Sequence, residues 1–203
     1  AHATFIDNNG AAIHCIRENA GLVGAARTVT VLKLDATRPP PPPLVAEAPC
    51  GLAFLDPPYG SGLLAPTLVS LAARCWIGPG AISVVEMGAN HKGEIASLCR
   101  TAMPTHGIIT NIGRAHIEGF GSFDDVKAAK SELYQWLAAN GGVVIYNDAN
   151  EILKELILKT GPVAVPYSRP AGAELTAEVA DGESMFLNVR ASAGDNEYTF
   201  ATN

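Results

Sequence analysis

Several sequence features that would assign this protein to a functional class are missing from its 203 residues. The four cysteines include no Cys-x-x-Cys pair, the spacing typical of metal and redox sites. No apolar run reaches the roughly 18 residues that a membrane-spanning helix needs, and no basic segment leads into a hydrophobic one at the start. The sequence therefore predicts a cytoplasmic protein with no membrane contact, whose cysteines are buried free thiols.

An excess of positive charge is also missing. Fourteen lysines and arginines stand against twenty aspartates and glutamates, which gives a formal net charge of −6. Nucleic-acid binders usually carry a basic surface, so this balance of charges argues against a broad phosphate-binding surface. A local basic patch is still compatible with it. Apolar residues, in contrast, make up 48% of the chain, which is enough for a folded core.

Short apolar runs alternate with segments of helical spacing through the first 160 residues. Strands are predicted at 3–7, 28–34, 51–55, 81–85, 107–111 and 143–146, and helices at 10–22, 63–76, 93–102, 123–139 and 149–159. Ser122, followed three residues later by Asp125, predicts a capping box at the start of the fourth helix. The alternation predicts an α/β fold, doubly wound around a mainly parallel sheet that runs through both halves of the chain.

The pattern changes in two places. After Gly161, short strands at 163–165, 174–179, 185–189 and 198–201 are separated by turn residues, which predicts a small antiparallel appendage near the C-terminus. Between the second and third strands, Arg38 precedes five prolines at 39–43, a run that favours polyproline II geometry. That run is either a spacer over the sheet edge or a ligand for an aromatic groove.

An Asp-Pro-Pro-Tyr motif at 56–59 follows the third predicted strand. The side-chain oxygen of Asp56, with a carbonyl of the rigid Pro57-Pro58 turn, can accept the hydrogens of an exocyclic amino group while Tyr59 stacks on the base. Such an arrangement positions the nitrogen for attack on a methyl sulfonium, and positioning is most of that reaction. Asp-Pro-Pro also occurs in plain turns, so the motif alone leaves both interpretations open.

The context of this motif favours the first interpretation. The segments concerned are ATFIDNN (3–9), LKLDA (32–36), FLDPPY (54–59), GSGLL (60–64) and CWI (75–77). With them, residues 1 to about 86 resemble the bacterial methyltransferases that modify guanine N2 in small-subunit ribosomal RNA.

The resemblance implies a cofactor, a substrate and two binding residues. The cofactor is S-adenosylmethionine and the substrate is rRNA; Asp7 would bind the ribose hydroxyls of the cofactor, and Asp35 would contact its adenine amino group. Each aspartate, taken alone, is equally a turn or helix cap. The Gly-rich loop of that family is missing from these residues, and we expect it upstream of Ala1.

A second group of motifs begins where the first ends, at Glu86. The segments are VVEMGANHKGEI (84–95), TNIGRAHIE (110–118) and AKSEL (129–133), in that order. They resemble the central domain of the Mur ligases, and most closely the members that add D-alanyl-D-alanine to a UDP-muramoyl tripeptide. Members of that family phosphorylate an acyl group with ATP before an amine attacks it, and Mg²⁺ neutralises the phosphates.

This second resemblance implies a set of ligands in residues 86–203. Glu86 and His116 would ligate Mg²⁺, Lys130 would become carbamylated and help to hold a second metal ion, and Asn147 would lie near the base of ATP. Individually, a glutamate ending a strand, a loop histidine and a helical lysine are also common surface residues. The order of the motifs is what favours the ligase interpretation.

Each half lacks the Gly-rich loop of its own family. The ligase phosphate loop, G-x-x-G-K-T/S, should precede the strand that ends at Glu86, and the methyltransferase segment stands there instead. The third ligase domain is also missing from these 203 residues. We therefore predict a partial methyltransferase segment at 1–85 joined to a partial ligase central domain at 86–203, inactive as it stands. The alternatives are an rRNA methyltransferase fragment and a non-catalytic recombinant of two α/β folds.

Overall fold

The computed structural model describes residues 2–113, 120–168, 175–181, 187–193 and 196–202. The chain divides into two compact units, Ala1–Met87 and Gly88–Asn203. Within the described ranges, none of the helices is long and apolar enough to cross a membrane.

The first unit contains two strand–helix–strand arrangements. The first consists of β1 (Ala3–Asp7), α1 (Gly10–Leu22) and β2 (Val29–Lys33), and the second of β3 (Cys50–Leu55), α2 (Leu64–Ala73) and β4 (Ile77–Val85). The strands of each arrangement pair in parallel. The Asn9 side chain accepts the N–H groups of Ala11 and Ala12 and so caps α1, while Leu64 and Leu71 are the buried residues of α2.

The proline run lies against its own unit. The indole Nε1 of Trp76, a residue only 3% exposed, donates to the carbonyl oxygen of Pro40 at 2.8 Å. Downstream of the prolines, Thr30 Oγ1 donates to the Val45 carbonyl at 2.7 Å and Thr4 Oγ1 to the Ala46 carbonyl at 3.0 Å. These contacts favour the spacer interpretation, because the run is held by the unit's own Trp76 and strands.

The second unit is built on one sheet. Its elements are α3 (Glu94–Ala102), β5 (His106–Ile108), α4 (Phe123–Ala139), β6 (Val143–Asn147), α5 (Glu151–Thr160), β7 (Val163–Ser168), β8 (Leu175–Asp181), β9 (Leu187–Ala193) and β10 (Asn196–Thr202). The strand order is β10-β9-β8-β7-β6-β5. Pairing is parallel from β5 to β8 and antiparallel from β8 to β10.

Helix α4 forms the centre of this unit. Val126, Ala129, Tyr134 and Leu137 on α4 are at most 1% exposed, and α4 packs against α3, α5, β5 and β6. Burial raises the pKa of the Tyr134 phenol to about 12. The predicted capping box is confirmed: Ser122 Oγ accepts the Asp125 N–H at 3.1 Å and donates to the Asp125 carboxylate at 2.7 Å.

The α/β class with mainly parallel pairing is confirmed. The expectation of one parallel sheet running through both halves is wrong, because the described strands form three sheets, β1-β2, β3-β4 and the six-stranded sheet. A continuous sheet would need α3 as the crossover helix between β4 and β5. In the structure, α3 packs on α4. Strand β5 then pairs with β6.

Two smaller expectations are confirmed in part. Antiparallel pairing near the C-terminus is present from β8 to β10, but these strands extend the main sheet and β7 is parallel to both of its neighbours. Of the four free cysteines only Cys99 is buried, and burial raises its pKa to about 11. Cys15 is exposed because Ile13, two positions earlier, is the residue that α1 buries.

We expect Gly142→Ala to lower the free energy of unfolding by about 1–3 kcal/mol. An added Cβ would lie 2.5 Å from Leu137 Cδ2 and 2.9 Å from the backbone oxygen of Thr105. Gly51→Ala, where no atom lies within 4 Å of the added carbon, is the control and should change stability by less than about 1 kcal/mol. Urea denaturation measures both, and equal effects would contradict the close approach at Gly142.

Candidate functional site

Helix α4 ties together three motif segments of the second unit. The Glu132 carboxylate accepts the backbone N–H groups of Gly93 at 2.6 Å and Ala96 at 2.9 Å. Two residues earlier on the same helix, Lys130 Nζ donates to the carbonyl oxygen of Asn111 at 3.1 Å. The start of α3, at Gly93 and Ala96, and Asn111 are therefore both held by helix α4.

Glu132 supplies a cap that the start of α3 lacks. The N-cap residue Gly93 has φ 87° and no side chain that could accept a hydrogen bond. The first N–H groups of a helix have no partner within the helix, and a carboxylate there also interacts favourably with the helix dipole. Glu132 meets both needs from 39 residues away.

The loop before α3 is held by two more carboxylates. Glu94 Oε2 accepts the backbone N–H of Asn90 at 2.7 Å, and this bond, with the His91 ring, holds the Glu94 pKa below its ordinary value of 4.5. Lys92 forms an ion pair with Asp125 on α4. The hydrogen bond from Lys92, followed by that from Ser122, lowers the pKa of Asp125.

The contacts of Glu94, Asp125 and Glu132 with the start of α3 and the loop before it were not predicted from the sequence. Glu132 lies inside the AKSEL segment, two residues after Lys130. The residue it caps, however, is 39 positions away, and no local pattern predicts such a contact.

The predicted residues of the second unit have different environments. Lys130 is half-buried and contacts Asn111. Asn147 is the last residue of β6, and its Oδ1 accepts the N–H of Ala149 at 3.0 Å, so it shapes the turn into α5. His116 lies outside the described residues.

Asp56 and Glu86 emerge at the same edge of the β3-β4 sheet. Leu55 and Val85 are register partners in parallel strands, and the Glu86 N–H donates to the Leu55 carbonyl at 2.9 Å. Both acidic residues are exposed. Carboxyl ends of parallel strands are where α/β folds place ligands, and both side chains lie at such an end.

The predicted metal ligands fall in separate parts of the chain. Glu86 belongs to the first unit and Lys130 to the second, while the third predicted ligand, His116, is not described. In the described part of the chain, no group of three or more His, Cys, Asp or Glu side chains is placed to hold a metal ion.

The turn between β3 and α2 contains the Asp-Pro-Pro-Tyr motif. Tyr59 is 53% exposed, which leaves its ring accessible for stacking. The turn is closed by the Ser61 N–H, which donates to the Pro58 carbonyl at 3.2 Å, and by the Leu63 N–H, which donates to Ser61 Oγ at 3.4 Å. Gly60 and Gly62 have φ of 66° and 68°, a conformation that glycine adopts without steric cost.

Asp7 is the last residue of β1, and Asp35 lies two residues after the end of β2, the parallel neighbour of β1. Asp7 Oδ1 accepts the Asn9 N–H at 2.6 Å. Asp35 Oδ1 accepts both the N–H and the hydroxyl of Thr37, and the hydroxyl bond is the main reason why the Asp35 pKa is lowered. Each aspartate thus forms a turn, and the second oxygen of each has no hydrogen-bond partner within the described ranges.

Two protein families match the chain. The Mur ligase middle domain matches residues 79–201, and Conserved hypothetical protein 95, a methyltransferase-like family, matches residues 1–104. Each match covers more than half of the sequence. The chain belongs to both families. The two resemblances predicted from the motifs are thereby confirmed.

Curated relatives of the ligase part cover only a section of the chain. UDP-N-acetylmuramoyl-tripeptide–D-alanyl-D-alanine ligase from Escherichia coli (strain K12) is 41% identical over 71 residues, which are 35% of this chain and 16% of the relative. The Rickettsia prowazekii (strain Madrid E) ligase of the same name is 32% identical over 111 residues, 52% of this chain and 24% of the relative. The matched region thus spans under a quarter of each relative's length.

Solved structures show the same fold. The MurF ligase from Thermotoga maritima, crystallised in complex with ADP, aligns with a TM-score of 0.53 and 14% identity over 98% of this chain and 55% of its own. A MurF structure from Acinetobacter baumannii aligns with a TM-score of 0.53 and 21% identity over 74% of this chain and 37% of its own. These identities establish a MurF-like fold and nothing finer.

We expect Glu132→Ala to speed hydrogen exchange at the Gly93 and Ala96 amides and to lower stability by about 1 kcal/mol, as loss of a helix cap does. Glu155→Ala is the matched control, because Glu155 contacts Lys159 on the surface of α5 and exposed pairs contribute little. Amide exchange followed by NMR is the measurement. Unchanged protection of both amides in Glu132→Ala would show that the cap is not formed in solution.

Proposed function

We propose that the chain is a Mur ligase middle-domain segment, 86–203, joined to a partial methyltransferase segment, 1–85, and that it completes the reaction of neither parent. The observation that carries the proposal is the turn at 56–63. The turn joins β3 to α2, and α2 is the helix directly before β4. By the resemblance, this is the place of the ligase phosphate loop, but the turn contains the methyltransferase motif Asp-Pro-Pro-Tyr.

The ligase parent implies ATP, Mg²⁺ and a UDP-muramoyl peptide. Support for that ancestry comes from the relatives' names and from a neighbour crystallised with ADP. Lys130, Glu86, His116 and Asn147 are the residues of this chain that would serve such a site. ATP would supply the activating phosphoryl group. The residues present do not fit its phosphates, because the turn at 56–63 has no lysine and contains two prolines.

The second candidate function is methyl transfer to the guanine amino group of an RNA. It is favoured by one specific observation: Asp7 and Asp35 lie at the carboxyl ends of paired strands, each with an oxygen unused in the described structure. These carboxylates fit the ribose and adenine ends of S-adenosylmethionine, which supplies the methyl group when bound. The charged methionine end finds no cradle in these residues, and leaving it unpaired is costly.

We expect no ATP turnover above buffer when the chain is incubated with Mg-ATP, UDP-N-acetylmuramoyl tripeptide and D-alanyl-D-alanine, because the donors that cradle the β- and γ-phosphates are missing. Phosphate release and product mass are the measurements, with the Escherichia coli ligase as positive control. Turnover that Lys130→Ala abolishes would overturn the proposal, since it would assign a working ligase site to this chain.

For the methyltransferase segment, saturating S-adenosylmethionine should raise the melting temperature by less than about 2 °C, because a ligand held only by its ribose and adenine binds weakly. Asp7→Ala removes one of the two carboxylates, and Glu18→Ala on the exposed face of α1 is the control. A shift above about 5 °C that disappears in Asp7→Ala but persists in Glu18→Ala would show a functional cofactor site.

A further inference from the structure

A phosphate-binding turn needs three things: backbone N–H groups aimed at the ligand, a helix N-terminus behind them, and a cation. The turn between β3 and α2 has the helix. The N–H groups and the charges that would complete such a site belong to residues 56–66, which all lie in the first unit.

Five of the eleven positions from 56 to 66 offer no available N–H donor. Pro57 and Pro58 have none, and Pro66, in the first turn of α2, has none either. The N–H groups of Ser61 and Leu63 are directed to the Pro58 carbonyl and to the Ser61 hydroxyl. A phosphate at this turn would have to compete with these internal bonds.

The charge of the turn has the wrong sign for a phosphate. Asp56 is exposed at the start of the turn, and its carboxylate repels an anionic phosphate placed there. From Asp56 to Ala73 the sequence contains no lysine, arginine or histidine. The next basic residue, Arg74, is the C-cap of α2, at the opposite end of the helix.

We infer that the turn at 56–63 actively excludes polyphosphates, through the Asp56 carboxylate and the two prolines, so that restoring the missing lysine alone creates no nucleotide site. The inference deepens the proposed function and rests on it. An incomplete site would be repaired by its missing residue, whereas a site of opposite charge with two prolines in place of N–H donors would not.

The test uses the full chain, calorimetry and inorganic tripolyphosphate with Mg²⁺. Leu63→Lys places a lysine directly after Gly62, and Leu63 is 40% exposed, so the change is tolerated by packing. This variant should bind no tighter than the original chain. Asp56→Asn/Pro57→Ala/Pro58→Ala/Leu63→Lys should bind at least about tenfold tighter than Leu63→Lys, a difference of about 1.4 kcal/mol.

Two results would overturn the inference. One is an affinity of Leu63→Lys that equals that of the combined variant, and the other is a combined variant that gains nothing. Amide exchange in the paired residues Leu55 and Val85 reports whether the sheet stays intact. If the alanines disrupt it, Asp56→Asn/Leu63→Lys keeps both prolines and should still gain at least about threefold; no gain there also overturns the inference.

The failure of the proposed function would look different. ATP turnover by the unchanged chain would refute the proposal that the chain completes the reaction of neither parent. If Leu63→Lys and the combined variant left that turnover unaltered, the phosphates would be held elsewhere and the exclusion at 56–63 would stand.

Discussion

The capping of α3 by Glu132 is the contact on which the rest of the second unit's site depends. Gly93 gives the chain the left-handed turn that begins α3, but it offers no side chain to the helix. A carboxylate from α4 fills that place, and Lys130 on the same helix holds Asn111. Helix α4 is also the most buried helix described in this unit. The start of α3 and Asn111 are therefore held by a helix that is itself fixed in the core.

The local signals of the sequence predicted most elements well. Helical spacing gave the bounds of α1 and α4, and the Ser122–Asp125 box marked the start of α4, because caps and periodicity involve residues close in sequence. Sheet membership depends on distant partners, so the split into three sheets could not be predicted from runs of apolar residues. The exposure of Cys15 depends on which face of α1 packs, which apolar composition does not specify.

The contacts of the site divide in the same way, into those between neighbouring strand ends and those between residues distant in sequence. Asp56 and Glu86 share an edge because the ends of two paired parallel strands must lie side by side. The tie between Lys130 and Asn111 and the cap from Glu132 involve residues 19 and 39 positions apart. Those contacts arise only when α4 packs, and no spacing rule contains them.

The strand shared by the two families shows what a join between them must satisfy. The two family matches overlap at residues 79–104, which include most of β4 and all of α3, so the string Val84-Val85-Glu86 serves either parent locally. A parallel strand, however, normally has both faces covered. On one face of the β3-β4 pair, Leu52, Phe54, Ile82 and Val84 are 51, 75, 65 and 44% exposed. A strand sequence common to both families preserves the pairing and register of the strand. It does not by itself supply the helices or strands that would cover this exposed apolar face.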